Sequence, residues 1–427
     1  MRPLSPTRRV RSLAFVAVAV VLVAASCSSS RPTVAGQNGS GPPTTDAATT
    51  TSTTLPAVGV LGTPVAHAAD VPLDSPIVVK ASGGTLTAVT VEAVHPDPVV
   101  TPAGDPAAPT TTTAPAPFVP HQVAGGFSAD RTIWLGGRNL HPGTTYQVTA
   151  TANGPGHRLT LQYWKFTTLT PSKTLHTSIN TFNGATYGVG MPMIVHLSSP
   201  VDPSLRKAVE QRLKVTTSNG VQGSWRWFTK SDVHFRPANY WPAGTKVTLN
   251  VDFAGLNAGD GVWGVDGRAI TWSVGDSHIS TVDASTHTMT VQTNGATVRT
   301  IPVSTGRDKY PTHSGIHVVM TREPTHHMNS STVGIPANGP GGYDETVTWA
   351  ERISNSGEFV HSAPWSVGSQ GSSNVSHGCV NVSTSDGHWF YDYSQIGDVV
   401  NVINTPNTLQ PDNGYGDWQI PYAEWAN

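Results

Sequence analysis

From Pro76 onward, glycine and proline cut the chain into short β-branched and aromatic runs, and no other feature constrains the fold as much. Ile77–Lys80, Leu86–Val91, Thr132–Leu135, Thr145–Ala150 and Leu159–Phe166 form one set of such runs. Met193–Leu197, Leu213–Thr217, Ser224–Phe228, Val233–Phe235 and Lys246–Val251 form a second. Runs this short, each bounded by turn residues, predict β-sandwiches rather than helices or a parallel sheet. Pro142-Gly-Thr-Thr-Tyr-Gln-Val and Pro242-Ala-Gly-Thr-Lys-Val match across the two sets, which predicts one immunoglobulin-like plan used twice. Pro203 to Leu213 is expected to be a short helix. A third set follows: Ser280–Val282, Thr288–Gln292, Ala296–Val303, Gly315–Met320, Gly357–His361 and Asp398–Ile403, with Asn294-Gly295 as a hairpin turn. Thr346 to Ile353 reads as a short helical turn. Ser383 is positioned to cap a helix with Asp386 in its first turn and Trp389, Phe390 and Tyr393 on one face. The chain of 427 residues is too long for one domain and is expected to be mainly β.

Chemistry concentrates between His361 and Asn381. The chain has two cysteines, and Cys379 stands directly after Ser376-His377-Gly378. A thiol is a weak nucleophile until its proton is taken, and imidazole is the usual acceptor near neutral pH. Cys379 is therefore the expected nucleophile and His361 its base, provided the fold closes the loop between them. Gly378 permits a tight turn ahead of the sulfur, so that nearby N–H groups can face an oxyanion. A buried cysteine that merely packs is the plain alternative. Glu358 is the one acidic residue close in sequence to His361, and it alternates to the other face of the strand.

His361 followed by residues 362–375 and then Ser376-His-Gly-Cys-Val-Asn381 resembles the signature of the L,D-transpeptidases, whose catalytic domain is of the YkuD type. Gly341-Gly-Tyr343, Phe359–Trp365, Trp389–Asp392 and Gly416–Pro421 extend the resemblance, which runs from about Leu169 to the C-terminus. It is nearest to the envelope lipoproteins of that family that carry immunoglobulin-like modules. The resemblance implies acyl transfer on peptidoglycan stem peptides. A cysteine thioester forms with loss of D-alanine, and an amine of an acceptor stem resolves it into a cross-link between third residues. It implies inhibition by carbapenem β-lactams and requires no cofactor. Ser362 matches a serine that takes part beside the base in relatives, and His377 the motif histidine that lines the pocket. Tyr343, Ser356 and Gly357 match donor-peptide contacts, and Met328 and Trp365 match pocket walls. Asn381 is expected either to orient substrate or to brace the loop.

The N-terminus supplies an address. Arg2, Arg8, Arg9 and Arg11 precede an apolar run, Leu13 to Ala25, too short to span a bilayer comfortably. It ends in Val23-Ala-Ala-Ser-Cys27, which resembles a lipobox, with Ala24 where leucine is commonest. Residues 1–27 are thus an expected export signal, with Cys27 the lipidated residue that anchors the protein to the outer face of the cytoplasmic membrane. Residues 28–74, rich in Ser, Thr and Pro, are expected to be a disordered tether. Module 1 is assigned to 75–168, interrupted by the Pro/Thr-rich insertion Pro96 to Pro117. Module 2 follows at 169–275, the catalytic domain at 276–404 and a Trp-rich extension at 405–427. That extension is expected to fold back onto a domain surface, because exposed aromatics at such density are unfavourable.

Other functions find little support. A net charge of −2 draws no nucleic acid. His317, His326 and His327 lack the spacing of a zinc site. Leu256–Gly261 resembles a calcium-holding loop, but Asn257 replaces its first acidic ligand. A sortase would need an arginine near the sulfur; no Lys or Arg follows Arg352, so one would have to come from earlier strands. An L,D-carboxypeptidase, with water as acceptor, and an inactive wall-binding module remain as alternatives on the same residues.

Overall fold

The computed structural model describes residues 58–94 and 122–427. The export signal with Cys27, most of the tether and the Pro96–Pro117 insertion lie outside these residues.

Module 1 is a sandwich of two sheets. Gly59–Thr63, Ile77–Ser82, Ile133–Gly136 and Gly125–Phe127 form one sheet, in that spatial order. Thr85–Ala93, Thr145–Asn153 and Leu159–Thr167 form the other. Val79, Leu86, Trp134, Tyr146, Val148 and Phe166 fill the space between. Module 1 therefore begins before residue 75, and the tether ends sooner than its composition implies. Gly59–Thr63 runs antiparallel to Ile77–Ser82, with Gly59 opposite Ser82 and Thr63 opposite Val78. Its glycines hid it, since they carry no side-chain pattern. Gly62 is needed there because a Cβ would sit 1.8 Å from the Trp164 ring.

Module 2 repeats the plan with two four-stranded sheets and a three-stranded annex. The matched proline turns do the same work in both modules. Thr144 Oγ1 donates to Pro142 O at 2.9 Å, and Thr245 Oγ1 to Pro242 O at 2.6 Å, each just ahead of a long central strand. The expected helix is present as a 3₁₀ turn, Pro203–Leu205, running into an α-helix at Arg206–Arg212.

The catalytic domain packs two sheets face to face. Its strands are β1 His278–Asp283, β2 Thr288–Thr293, β3 Ala296–Pro302, β4 His313–Val318, β5 Thr321–Asn329, β6 Asp344–Arg352, β7 Phe359–Ser362, β8 Val380–Val382, β9 Val399–Ile403 and β10 Asn407–Thr408. The large sheet runs β3-β2-β1-β9-β4-β10 and the small one β5-β6-β7-β8. Val282, Val291, Ile301, Val360, Val380 and Val400 meet between them. Helix α1, Thr384–Tyr393, follows β8, and Ser383 Oγ accepts the Asp386 N–H at its start. The expected helical turn at Thr346 to Ile353 is strand β6 instead. A bulge lies between Thr348, opposite Ser362, and Glu351, opposite Val360. It breaks the alternation, so Val347 and Ala350 are both buried at a spacing of three, which imitates a helix.

The C-terminal extension is shared: Asn407–Thr408 adds β10 to the catalytic domain, which therefore runs past residue 404, and residues from Asp417 on lie against module 2. His234 Nδ1 bonds Asp417 at 2.7 Å, Trp418 Nε1 donates to Gly190 O at 2.8 Å, and Trp425 Nε1 donates to Ser224 O at 2.9 Å. The Arg236 guanidinium lies 4.7 Å from the Trp418 ring and 4.4 Å from that of Trp425.

Candidate active site

Two strands and one turn bring the chemistry together. β7 is buried along its whole length and pairs in parallel with β8, which sets His361 beside Asn381. Asn381 is fixed in turn by two backbone bonds to Ser304, at 3.0 and 2.9 Å. The turn before β8 is tied by a single hydroxyl. Ser376 Oγ donates to Cys379 O at 2.6 Å and accepts the Gly378 N–H at 3.1 Å. Gly378 sits at φ +123°, a conformation that side chains rarely adopt. Thr312 Oγ1 donates to the Gly378 carbonyl at 2.7 Å. The sulfur is thereby presented to a cavity of about 280 Å³ that His361 also lines.

His361 is buried, and its Nδ1 lies 2.9 Å from Ser362 O. A carbonyl only accepts, so Nδ1 carries the proton and Nε2 holds a lone pair. Burial pushes this imidazole down to about 4 despite that bond. Burial pushes the Cys379 thiol up to about 12, and the charges of Glu358 and Glu345 add to the effect. The resting pair is thus neutral thiol and neutral imidazole, with the thiol directed at Gly357 O, 3.7 Å away. Ser362 Oγ donates to Thr384 Oγ1 at 3.1 Å, so the serine orients the base through its carbonyl and not its hydroxyl.

His377 is held differently. An Arg307 N–H donates to its Nε2 at 2.5 Å, and the Gly341 carbonyl accepts its other N–H. Burial, and then Arg307, push it below the ordinary histidine range. Its ring also lies 5.1 Å from Tyr310 and 5.1 Å from Tyr343. Asn381 braces the loop through Nδ2, which donates to Ser366 Oγ at 3.1 Å. Its Oδ1 is buried without a partner among the described residues, and the residue lines the cavity.

Residues 277–402 match the L,D-transpeptidase catalytic domain, and residues 119–257 match a bacterial Ig domain. L,D-transpeptidase 2 of Mycobacterium tuberculosis is 38% identical over 359 residues, covering 84% of this chain and 81% of the relative. This chain belongs to the L,D-transpeptidase family. L,D-transpeptidase 5 of the same organism is 34% identical over 313 residues, covering 71% of this chain and 67% of the relative. A crystal structure of L,D-transpeptidase 3 from Mycobacterium tuberculosis, in complex with a faropenem-derived adduct, is 32% identical. It covers 53% of this chain and 97% of that one, with a TM-score of 0.46.

In this L,D-transpeptidase, Met328, Tyr343 and Trp365 line the same cavity as Cys379 and His361. Met328 is buried against Phe359 and the cysteine. Trp365 is 55% exposed with its ring 6.0 Å from that of His361, which makes it a lip and not core. Ser356 and Gly357 do not line that cavity. With Tyr343, His377 and Gly378 they line an adjoining one of about 260 Å³, on the other side of the motif histidine.

Three site residues escaped the sequence reading. Glu345 lines the catalytic cavity and its carboxyl is pushed up by burial; it stands just before the Thr346 to Ile353 stretch read as a helical turn. Arg307 reaches the site from the turn after β3, and its guanidinium bonds the motif histidine. Ser376 was read only as part of the motif. The scarcity of cations after Arg352 was a usable signal for Arg307, because any guanidinium had to arrive from upstream.

The three histidines considered for zinc have separate partners. His317 Nε2 faces Glu358 at 3.3 Å, His326 faces Glu323 at 2.7 Å, and His327 faces Asp344 at 2.9 Å. Asn257 Oδ1 accepts the Gly259 N–H at 2.9 Å, so in the calcium-like loop this side chain closes its own turn.

Proposed function

We propose that Cys379 attacks the amide carbonyl between the third and fourth residues of a donor stem peptide. His361 Nε2 takes the thiol proton during the attack and passes it to the departing D-alanine amine. The thioester is then resolved by a side-chain amine of an acceptor stem, giving a cross-link between third residues. The observation that carries this reading is the fixed tautomer of a buried His361 opening onto the same cavity as the sulfur. Because the resting thiol lies near 12 and the imidazole near 4, proton transfer accompanies attack rather than preceding it. The Gly378 N–H is engaged by Ser376, so we assign the oxyanion to the N–H groups of Cys379 and His377. Asn381 Oδ1 is assigned to a substrate N–H, and Trp365 to the lip over which the stem enters. β-Lactams of the carbapenem type are the inhibitors we assign to the same cysteine.

Incubation with a tetrapeptide stem tests the reading by intact mass. The expected result is a mass gain on Cys379 equal to the stem less D-alanine, which disappears when an acceptor stem is added. Cross-linked product formed by a Cys379→Ser protein would overturn it.

We also propose export and lipid anchoring at Cys27, on the basis of the apolar run that ends there and the polar tract that follows. The Cys27→Ser protein is expected to leave the membrane fraction after a salt wash, while the wild type stays and carries a lipid-sized mass. A variant that stays, together with a wild type lacking that mass, would remove the anchor.

A further inference from the structure

Beneath the catalytic turn lies a second set of titratable groups that the acyl transfer does not use. Glu358 is 4% exposed, and its Cγ lies 3.7 Å from where a Cβ on Gly378 would stand. Its Oε1 accepts both the backbone N–H and the Nδ1–H of His313, each at 2.8 Å. Its Oε2 faces His317 Nε2 at 3.3 Å, and His317 Nδ1 faces Gly315 O at 3.1 Å. These bonds hold the carboxyl down to about 2 against the burial that would raise it. Both nitrogens of the fully buried His317 thus face oxygen acceptors. His313 is the member of the cluster that reaches solvent. It is 30% exposed and lines the cavity beside His377 and Gly378. Its Nε2 has no protein partner among the described residues. Thr312, the preceding residue, bonds the Gly378 carbonyl, so one peptide links the cluster to the turn that carries the sulfur.

We propose that Glu358, His317 and His313 are positioning residues whose net charge, switched by a proton on His313, sets how readily Cys379 ionises. Protonation of His313 adds one positive charge to the cluster behind the nucleophile. A cation there favours the thiolate. Lys309, Tyr310, Tyr343 and His377, the last bonded to Arg307, face His313 across its cavity. Cys379 faces His361 and Glu345 across the other cavity, and the charges of Glu358 and Arg352 also act on it. Burial pushes His361 and His377 down, whereas the bond to Glu358 pushes His313 up. The His313 step is therefore separable on the pH axis from those of the other two histidines.

The inference rests on Cys379 being the nucleophile. Its test measures thiol ionisation directly, so it is read out whether or not a stem peptide is the substrate. The rate of iodoacetamide alkylation of Cys379 in the full chain is followed by peptide mapping between about pH 5 and 9. In the wild type, the acid-side rate should exceed the extrapolated alkaline limb by about threefold to tenfold. The step should vanish in His313→Gln, a change at a partly exposed ring that leaves the carboxylate to His317 and the His313 backbone. In Glu358→Gln it should move down by about one pH unit or more. Thermal melts establish that each variant is folded, and His313→Gln decides the matter alone if Glu358→Gln is not. A step unchanged in His313→Gln, or a rate change equal at every pH, would overturn the proposal.

Discussion

Replacing His361 by alanine is expected to lower turnover by about 10³-fold or more, because general-base assistance is lost and His377, the other imidazole lining the cavity among the described residues, is engaged at both nitrogens. His361 is the imidazole with a lone pair open to the site, its proton being fixed on Nδ1 by Ser362 O. Removing it also strands that buried carbonyl, at a cost of about 1–3 kcal/mol in stability. His377→Ala should cost only about tenfold, since that ring is engaged at both nitrogens and acts by bracing. Steady-state rates on both variants, with near-ultraviolet dichroism as a check of folding, separate the two. Equal losses, or a larger one in His377→Ala, would reverse the assignment. The acid limb of kcat/KM is expected near pH 4 instead of near 6.5, because burial favours neutral His361. The same burial makes the fold lose stability as pH falls from about 6.5 toward 4, where the unfolded chain binds this proton and the folded one does not.

A carbapenem is expected to add one drug mass to Cys379, less any fragment the drug expels, and to add nothing to a Cys379→Ser protein. The β-lactam presents a strained amide carbonyl that a thiol can open without help from a long substrate. The oxyanion formed is expected to occupy the same place as in stem-peptide cleavage, so the N–H groups of the turn should serve both. Intact mass and peptide mapping on freshly reduced protein give the answer. An adduct on the serine variant, or none on the wild type, would rule out this site. The excised segment 276–427 is a poor substitute for the whole chain in this experiment. Ile279, Ile316, Ile396 and Val399 of that segment belong to the same apolar cluster as module 2. Truncation there would bare a core.

Much of the site was legible because the motif is local. Ser376 through Asn381 carry the turn, the sulfur and the brace within six consecutive residues, and β7 is a short strand buried at every position, His361 included. Glu358 was likewise legible as facing away from the base, and it does turn to His313 and His317 instead. What was not legible depends on partners far along the chain. Arg307 meets His377 from 70 residues upstream, and no spacing rule connects them. The β6 bulge defeated periodicity, because an inserted residue converts a period of two into an apparent turn of helix. The first strand of module 1 defeated composition, because Gly62 is required by the Trp164 ring and Gly59 by the Ser82 hydroxyl, and not by propensity.

The fold-back of residues 417–425 onto module 2 closes a loop in the chain. Module 2 hands the chain to the catalytic domain at its last strand, Gly267–Val274, and receives it back through Asp417, Trp418 and Trp425. Both ends of the catalytic domain are thereby held by module 2. To unravel, it must extract the buried Asp417 carboxylate and Trp425 indole and the half-buried Trp418 indole from its neighbour, so the two are expected to lose structure cooperatively. Residues 417–425, remote from the sulfur, thus act as a clasp, and its opening is expected to set how fast the enzyme unfolds.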